Sequence, residues 1–227
     1  MKKIITSIIL LILIIGGIIG IYLFINDQAN KKELAQIDSA EFVDQVETEE
    51  QNIGSEIILK RESGVWSIVN QNEYTIDLDS INFEFTGYRV GGSHDGTFEN
   101  IDVIIGFNDQ GLPVTGKITI DASSVKTDTA ALDNHLRTDD FFGVEEYPEI
   151  IVDIKQVRQE NGQTVAISDI FMKGITRTIA IPVEIRQTDD RINFSVDSRI
   201  NISDFNIAYG PVRDDVRITL QGAFIKN

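Results

Sequence analysis

Three consecutive residues, Ser93, His94 and Asp95, carry the side-chain types of a nucleophile, a base and an orienting acid. Their spacing defeats that chemistry. Successive side chains of an extended strand point to opposite faces, so the three cannot meet unaided. The chain has two histidines, His94 and His135, too few for a histidine-rich metal site, and no cysteine to act as thiolate ligand or nucleophile. No G-x-S-x-G, P-loop or H-E-x-x-H sequence occurs. The acidic pairs Asp139-Asp140, Glu145-Glu146 and Asp214-Asp215 lack the spacing of a calcium loop and read as surface charge. The sequence therefore specifies no catalytic residue, metal site or cofactor. What remains is a set of polar side chains that can donate hydrogen bonds. His94, His135 and Arg137 are candidates for holding the polar end of a ligand at a pocket mouth. Against this, His135 could satisfy a local helix hydrogen bond, and Arg137 could pair with Asp133 or Asp140.

The elements that would position these residues are strands. Ile101, Val103, Ile105 and Phe107 recur at every second position, as do Ile118 and Ile120. Ile179, Ile181, Val183 and Ile185 form another such run, then Ile192, Phe194 and Val196, then Val216, Ile218 and Leu220. Alternation of this kind gives each strand one apolar and one wet face. Turns are read at Asn108–Gly111, Glu160-Asn161-Gly162 and Asp189-Asp190. One short helix is expected within Thr129 to Phe142, with Asp128 as its cap. The expected fold is all-β, an antiparallel barrel of about eight strands with one short helix. Pro182 cannot donate to a ladder, so a bulge or unpaired edge is expected there.

The inward faces of such a barrel are candidates for a ligand lining: Phe83, Phe85, Phe98, Ile118, Ile120, Phe194 and Val196, with Ile167 beside them. Phe141 and Phe142, with Tyr147, would form a lid or pocket wall. Pattern alone fits a packed core without a ligand equally well.

Ahead of the strands lies a different composition. Lys2 and Lys3 precede an uncharged apolar run from Ile4 to Ile25. A helix of that length covers roughly 33 Å, close to a bilayer core. It is read as an uncleaved membrane anchor, with a cleaved signal as the alternative. Lysine placement puts the N-terminus in the cytoplasm and the following domain outside it. Residues 26–63 read as an acidic linker, in which Ile57-Ile58-Leu59 is either a first edge strand or a segment docked on the barrel, and residues 64–227 as the β domain. The formal net charge of −16 excludes nucleic acid as a partner.

Five segments resemble the YceI-like family. They are Tyr74–Asp77 with Ser80 and Ile81–Phe85; Gly91–Phe98; Leu132–Phe142 followed by Tyr147-Pro148; Lys173–Thr178; and Ile202–Phe205 with Tyr209-Gly210. Their order and spacing match across roughly residues 64–227. Many members carry histidine before the serine matched here by Ser80, where this chain has Asp79. The resemblance implies a lipocalin-like barrel that holds a long apolar ligand, typically a polyisoprenoid, with no catalysis. The expected function is thus a membrane-anchored extracytoplasmic protein binding a polyisoprenoid, quinone or similar lipid for storage or transfer. The alternative is a filled barrel serving as a structural or protein-interaction module of the cell envelope.

Overall fold

The computed structural model describes residues 41–42, 54–70, 74–210 and 212–227. Within them the chain runs through fifteen strands and one α-helix. The strands are β1 (Glu41–Phe42), β2 (Ser55–Glu62), β3 (Val65–Asn70), β4 (Tyr74–Ile76), β5 (Asn82–Arg89), β6 (Gly92–Phe98), β7 (Ile101–Phe107), β8 (Pro113–Asp121) and β9 (Val125–Thr127). Helix α1 (Ala130–Leu136) follows, then β10 (Glu149–Glu160), β11 (Gln163–Met172), β12 (Ile175–Pro182), β13 (Glu184–Gln187), β14 (Arg191–Asn201) and β15 (Val212–Lys226).

The strands form two antiparallel sheets. The first has the order β1-β12-β11-β10-β8-β7-β2-β3; the second runs β13-β14-β15-β5-β6-β9, with β4 added on β15. Short hairpins set much of this order. The β2–β3, β10–β11 and β11–β12 connections each place two central residues at positive φ: Ser63-Gly64, Asn161-Gly162 and Lys173-Gly174. That is the requirement of the turn whose twist matches the flanking strands. Two apolar clusters fill the space between elements. The larger gathers Phe98, Ile101, Ile120, Ile150, Ile170 and Phe205, and the smaller centres on Tyr74, Phe107, Ile192 and Phe224.

The all-β, antiparallel character and the single short helix fit a lipocalin-like fold, but three parts of the expected fold are corrected. First, there are fifteen described strands rather than about eight. Strands such as β6 (GSHDGTF), β9 (VKT) and β13 (EIRQ) lack the apolar alternation by which strands were counted. Second, the run Ile179–Ile185 is two strands. β12 pairs with β11 as far as Pro182 opposite Val165, and β13 then pairs with β14 in the other sheet. Pro182 sits at the corner where the chain changes sheets, a place that requires no donor from it. Third, no helix of the described residues is long and apolar enough to cross a membrane, and a membrane-spanning helix is therefore no part of the described fold. Helix α1, at seven residues, covers only about 10 Å. The run Ile4–Ile25 lies outside the described residues.

Residues Ser55–Glu62, placed from sequence at the end of the linker with Ile57–Leu59 as an edge strand or docked segment, form β2. This strand is interior to the first sheet, paired with β3 on one side and β7 on the other. Ile57 is fully buried there.

A candidate ligand cavity between the sheets

The inward side chains of the two sheets do not meet everywhere. They enclose a cavity of about 430 Å³, within the range of small-molecule sites. One wall is built by β7, β8, β10 and β11. Their directly paired residues Val103, Ile118, Val152 and Ile170 share one level, and Ile101, Ile120 and Ile150 the next. The other wall comes from β5, β14 and β15, with Phe83 beside Leu220 and Val196, and Phe85 beside Ile218. Trp66 of β3 and the rings of Phe98, Phe141 and Phe142 complete an almost wholly apolar surface. Phe98 is the hub of the aromatic part, with Phe83, Phe85 and Phe142 at centroid distances of 6.3, 5.6 and 5.7 Å.

Most residues singled out from sequence reach this cavity: Phe83, Phe85, Phe98, Ile118, Ile120, Phe141, Phe142, Val196, His94 and His135. Three do not. Phe194 stacks on Phe224 at 5.0 Å in the smaller cluster. Ile167 is fully buried, but it sits between Ala166 and Ser168, which line the cavity, and so points to the opposite face of β11. Arg137 is a clamp. Its Nε donates to the Ser123 carbonyl at 2.6 Å and its Nη2 to the Val125 carbonyl at 2.9 Å, fastening the end of α1 to the loop beneath.

The cavity reaches solvent where residues that line it are also partly exposed: Arg89 at the end of β5, His94 on β6, His135 on α1 and Tyr209 before β15. Both histidines of the chain lie on this rim. His94 Nδ1 faces Asp128 at 2.9 Å, and Arg89 Nε donates to His94 Nε2 at 3.3 Å. A guanidinium can only donate, so Nε2 is the acceptor and Nδ1 carries the proton shared with Asp128. His135 packs edge-on against Phe141 and Tyr209 at 5.0 and 4.9 Å, and its Nε2 lies 3.4 Å from Asp140. Asp128, expected to cap α1, is thus engaged by His94, and Thr129 is the cap, accepting from the Leu132 N–H at 3.4 Å.

Helix α1 is held to the sheet by Asp133. The side chain is buried, and Oδ1 accepts from both the N–H and the hydroxyl of Thr127 at 2.7 Å. Burial alone would push this carboxyl up. The Thr127 hydrogen bonds, with Lys126 and Arg137 nearby, outweigh it and hold the group below the ordinary carboxylate range.

Sequence reasoning missed Trp66, Arg89, Tyr209 and Ser168 among the lining residues. Arg89 was legible as the last strand residue before the Val90-Gly91 turn, and Tyr209 as part of a family-like segment; Trp66 and Ser168 carried no signal of their own. Asp79 does not line the cavity. Asp79 is exposed and borders a separate polar groove with Arg186 and Arg191. Ser80 is structural: its hydroxyl donates to the Asp77 carbonyl at 2.6 Å and accepts from the Ala223 N–H at 2.9 Å.

Comparison with known proteins places this geometry. The family model of the YceI-like domain matches residues 74–224. The UPF0312 protein plu2095 of Photorhabdus laumondii is 30% identical over 165 residues, 66% of this chain and 85% of that protein. Protein YceI of Escherichia coli O157:H7 is 29% identical over 135 residues, 55% of this chain and 70% of that protein. Among solved structures, BcnA of Burkholderia cenocepacia superposes with a TM-score of 0.58 at 19% identity, covering 66% of this chain and 99% of BcnA. A polyisoprenoid binding domain from Saccharophagus degradans gives 0.51 at 15% identity, covering 69% and 100%. At these identities the two structures share the fold.

Proposed function

The chain belongs to the YceI-like domain family, and on that premise we propose that it is a lipid carrier, holding one long apolar chain between its two sheets. The observation that carries this reading is the cavity itself. About 430 Å³ of space is left between walls of isoleucine, valine and phenylalanine that had the means to close on one another. Empty apolar space forfeits contacts, so a chain that kept it needs an occupant. Burial of a polyisoprenoid or quinone tail would stabilise the complex by about 25 cal/mol per Å² of apolar surface removed from water. The polyisoprenoid-binding domain from Saccharophagus degradans supports the same ligand class.

The reading includes no chemical step. Ser168 lines the cavity, but its hydroxyl has no base to accept its proton, and the ring nitrogens of His94 are taken up by Arg89 and Asp128. Its role is storage or transfer. A working place outside the cytoplasm is part of the proposal, supported by the sequence alone: the uncharged run Ile4–Ile25 behind Lys2 and Lys3 has the composition of an export sequence.

Native mass spectrometry of the purified protein, followed by solvent extraction, tests the reading. One co-purified apolar lipid per chain is the expected result. A protein that arrives empty and takes up neither polyprenols nor quinones is no carrier.

A further inference from the structure

Among the buried side-chain polar atoms of the described residues, three find no hydrogen-bond partner, and two of these are serine hydroxyls, Ser168 and Ser198. Ser168 is fully buried and lines the cavity. Its cross-strand neighbours are Ile154 on β10 and Ile179 on β12, and Ala166 and Ile170 flank it on its own face of β11. Ser198 lies directly across from Ile218, a lining residue of the other wall, so its side chain is on the cavity side of the second sheet. The other buried serine of the described residues, Ser124, is satisfied. The Ser124 hydroxyl donates to the Asp121 carbonyl at 2.6 Å and accepts from the Asn100 N–H at 3.0 Å. A hydroxyl left alone in an apolar wall is unfavourable, and alanine would fit the same place without that cost.

Resting on the carrier reading, we propose that Ser168 is a polar subsite inside the cavity for an uncharged oxygen of the ligand. The lipid class that fits is an apolar chain bearing a hydroxyl or carbonyl group that travels into the interior. Such an oxygen supplies the acceptor or donor that the hydroxyl lacks. A water molecule would need two to four polar partners, and the register neighbours of Ser168 offer none. A charged headgroup is excluded from this depth by the same neighbours, since a buried ion requires a partner. Its place is the rim, where Arg89 and His94 stand.

The test compares phytol with phytane, an alcohol and a hydrocarbon on the same branched C20 skeleton, in competition binding to the full chain and to S168A. The ratio of phytol to phytane affinity is expected to fall about fivefold in S168A, the loss of one neutral hydrogen bond. A ratio that does not move overturns the subsite and leaves the carrier standing. A wild-type protein that binds neither probe overturns both. S168A should melt at or above the wild-type temperature, because it removes an unpartnered hydroxyl. If both S168A and S168V fail to fold, the hydroxyl is structural and the subsite is overturned.

Discussion

Gly96 faces Phe85 directly across the β5–β6 ladder, and the ring lies over the glycine. A methyl group at Gly96 would stand 2.9 Å from Phe85 Cε1, closer still to Cζ, and 2.8 Å from the Lys126 carbonyl oxygen. The ring could swing away, but only toward the cavity it lines; the carbonyl belongs to the β6–β9 pairing and cannot. Gly96→Ala is therefore expected to lower stability by about 1–3 kcal/mol, the usual cost of overpacking. It should also reduce the lipid bound per chain. Urea titration and native mass spectrometry read the two effects separately.

Acid should destabilise the protein through carboxylates held below their ordinary range. Asp133 is one. Asp121 is another, where hydrogen bonds from Ser123 and Asn100 outweigh the upward push of burial, and Asp197 is a third, through its hydrogen bond from Arg217. A carboxyl depressed in the folded state contributes stability above its unfolded value of about 4, and that contribution is lost as pH falls through the folded value. The unfolded chain binds more protons in this window, so stability rises with pH. Melting temperature should fall steadily from pH 5 toward pH 2. In D133N this slope should be shallower, and D133A should cost about 1.5–3 kcal/mol at neutral pH, since the Thr127 N–H loses its charged partner.

Period-two alternation revealed the strands that have one dry and one wet face, and through them most of the cavity lining. Phe83, Phe85, Ile118, Ile120 and Val196 were legible because each sits at an alternating position of a strand that spans a wall. Phe194 obeys the same alternation as Val196, yet it lies at the level where β14 passes over the smaller cluster. Alternation specifies a face and not a position along it. Arg137 was misread for a different reason. Its chemistry suits a headgroup, but the carbonyls of Ser123 and Val125 take its Nε and Nη2, and only the tertiary fold brings them there. The hairpins at Ser63-Gly64 and Lys173-Gly174 were hidden because serine and lysine seldom take positive φ, whereas Asn161-Gly162 announced itself.

Trp66 is the chain's one tryptophan, and it lines the cavity with the Arg61 guanidinium 5.6 Å from its ring centroid. Its emission therefore reports on the cavity without any label. Titration with a polyprenol should shift the emission to shorter wavelength as water is displaced, and a quinone should quench it. Removal of co-purified lipid by solvent should reverse the shift. An emission spectrum indifferent to every lipid added would place the occupant, if there is one, away from β3.

A hollow interior and a filled one respond in opposite ways to added bulk. Ile118 sits mid-wall on β8, between Val103 and Val152, with its side chain bordering the cavity. In a close-packed core Ile118→Trp would force neighbouring side chains out of their rotamers and cost about 1–3 kcal/mol or more. Beside about 430 Å³ of unoccupied space the larger ring has room, and it recovers contacts that the wall otherwise lacks. The lipid-free variant should therefore melt no lower than the lipid-free wild type, while its capacity for a polyprenol falls several-fold. The two readouts must be taken together, because bound lipid itself raises the melting temperature of a carrier, with the logarithm of the free lipid concentration. After exhaustive extraction of both proteins, a clear drop in the melting temperature of I118W would mean that the interior is packed in solution. An unchanged melting temperature with diminished uptake would mean that Ile118 borders the space the lipid fills.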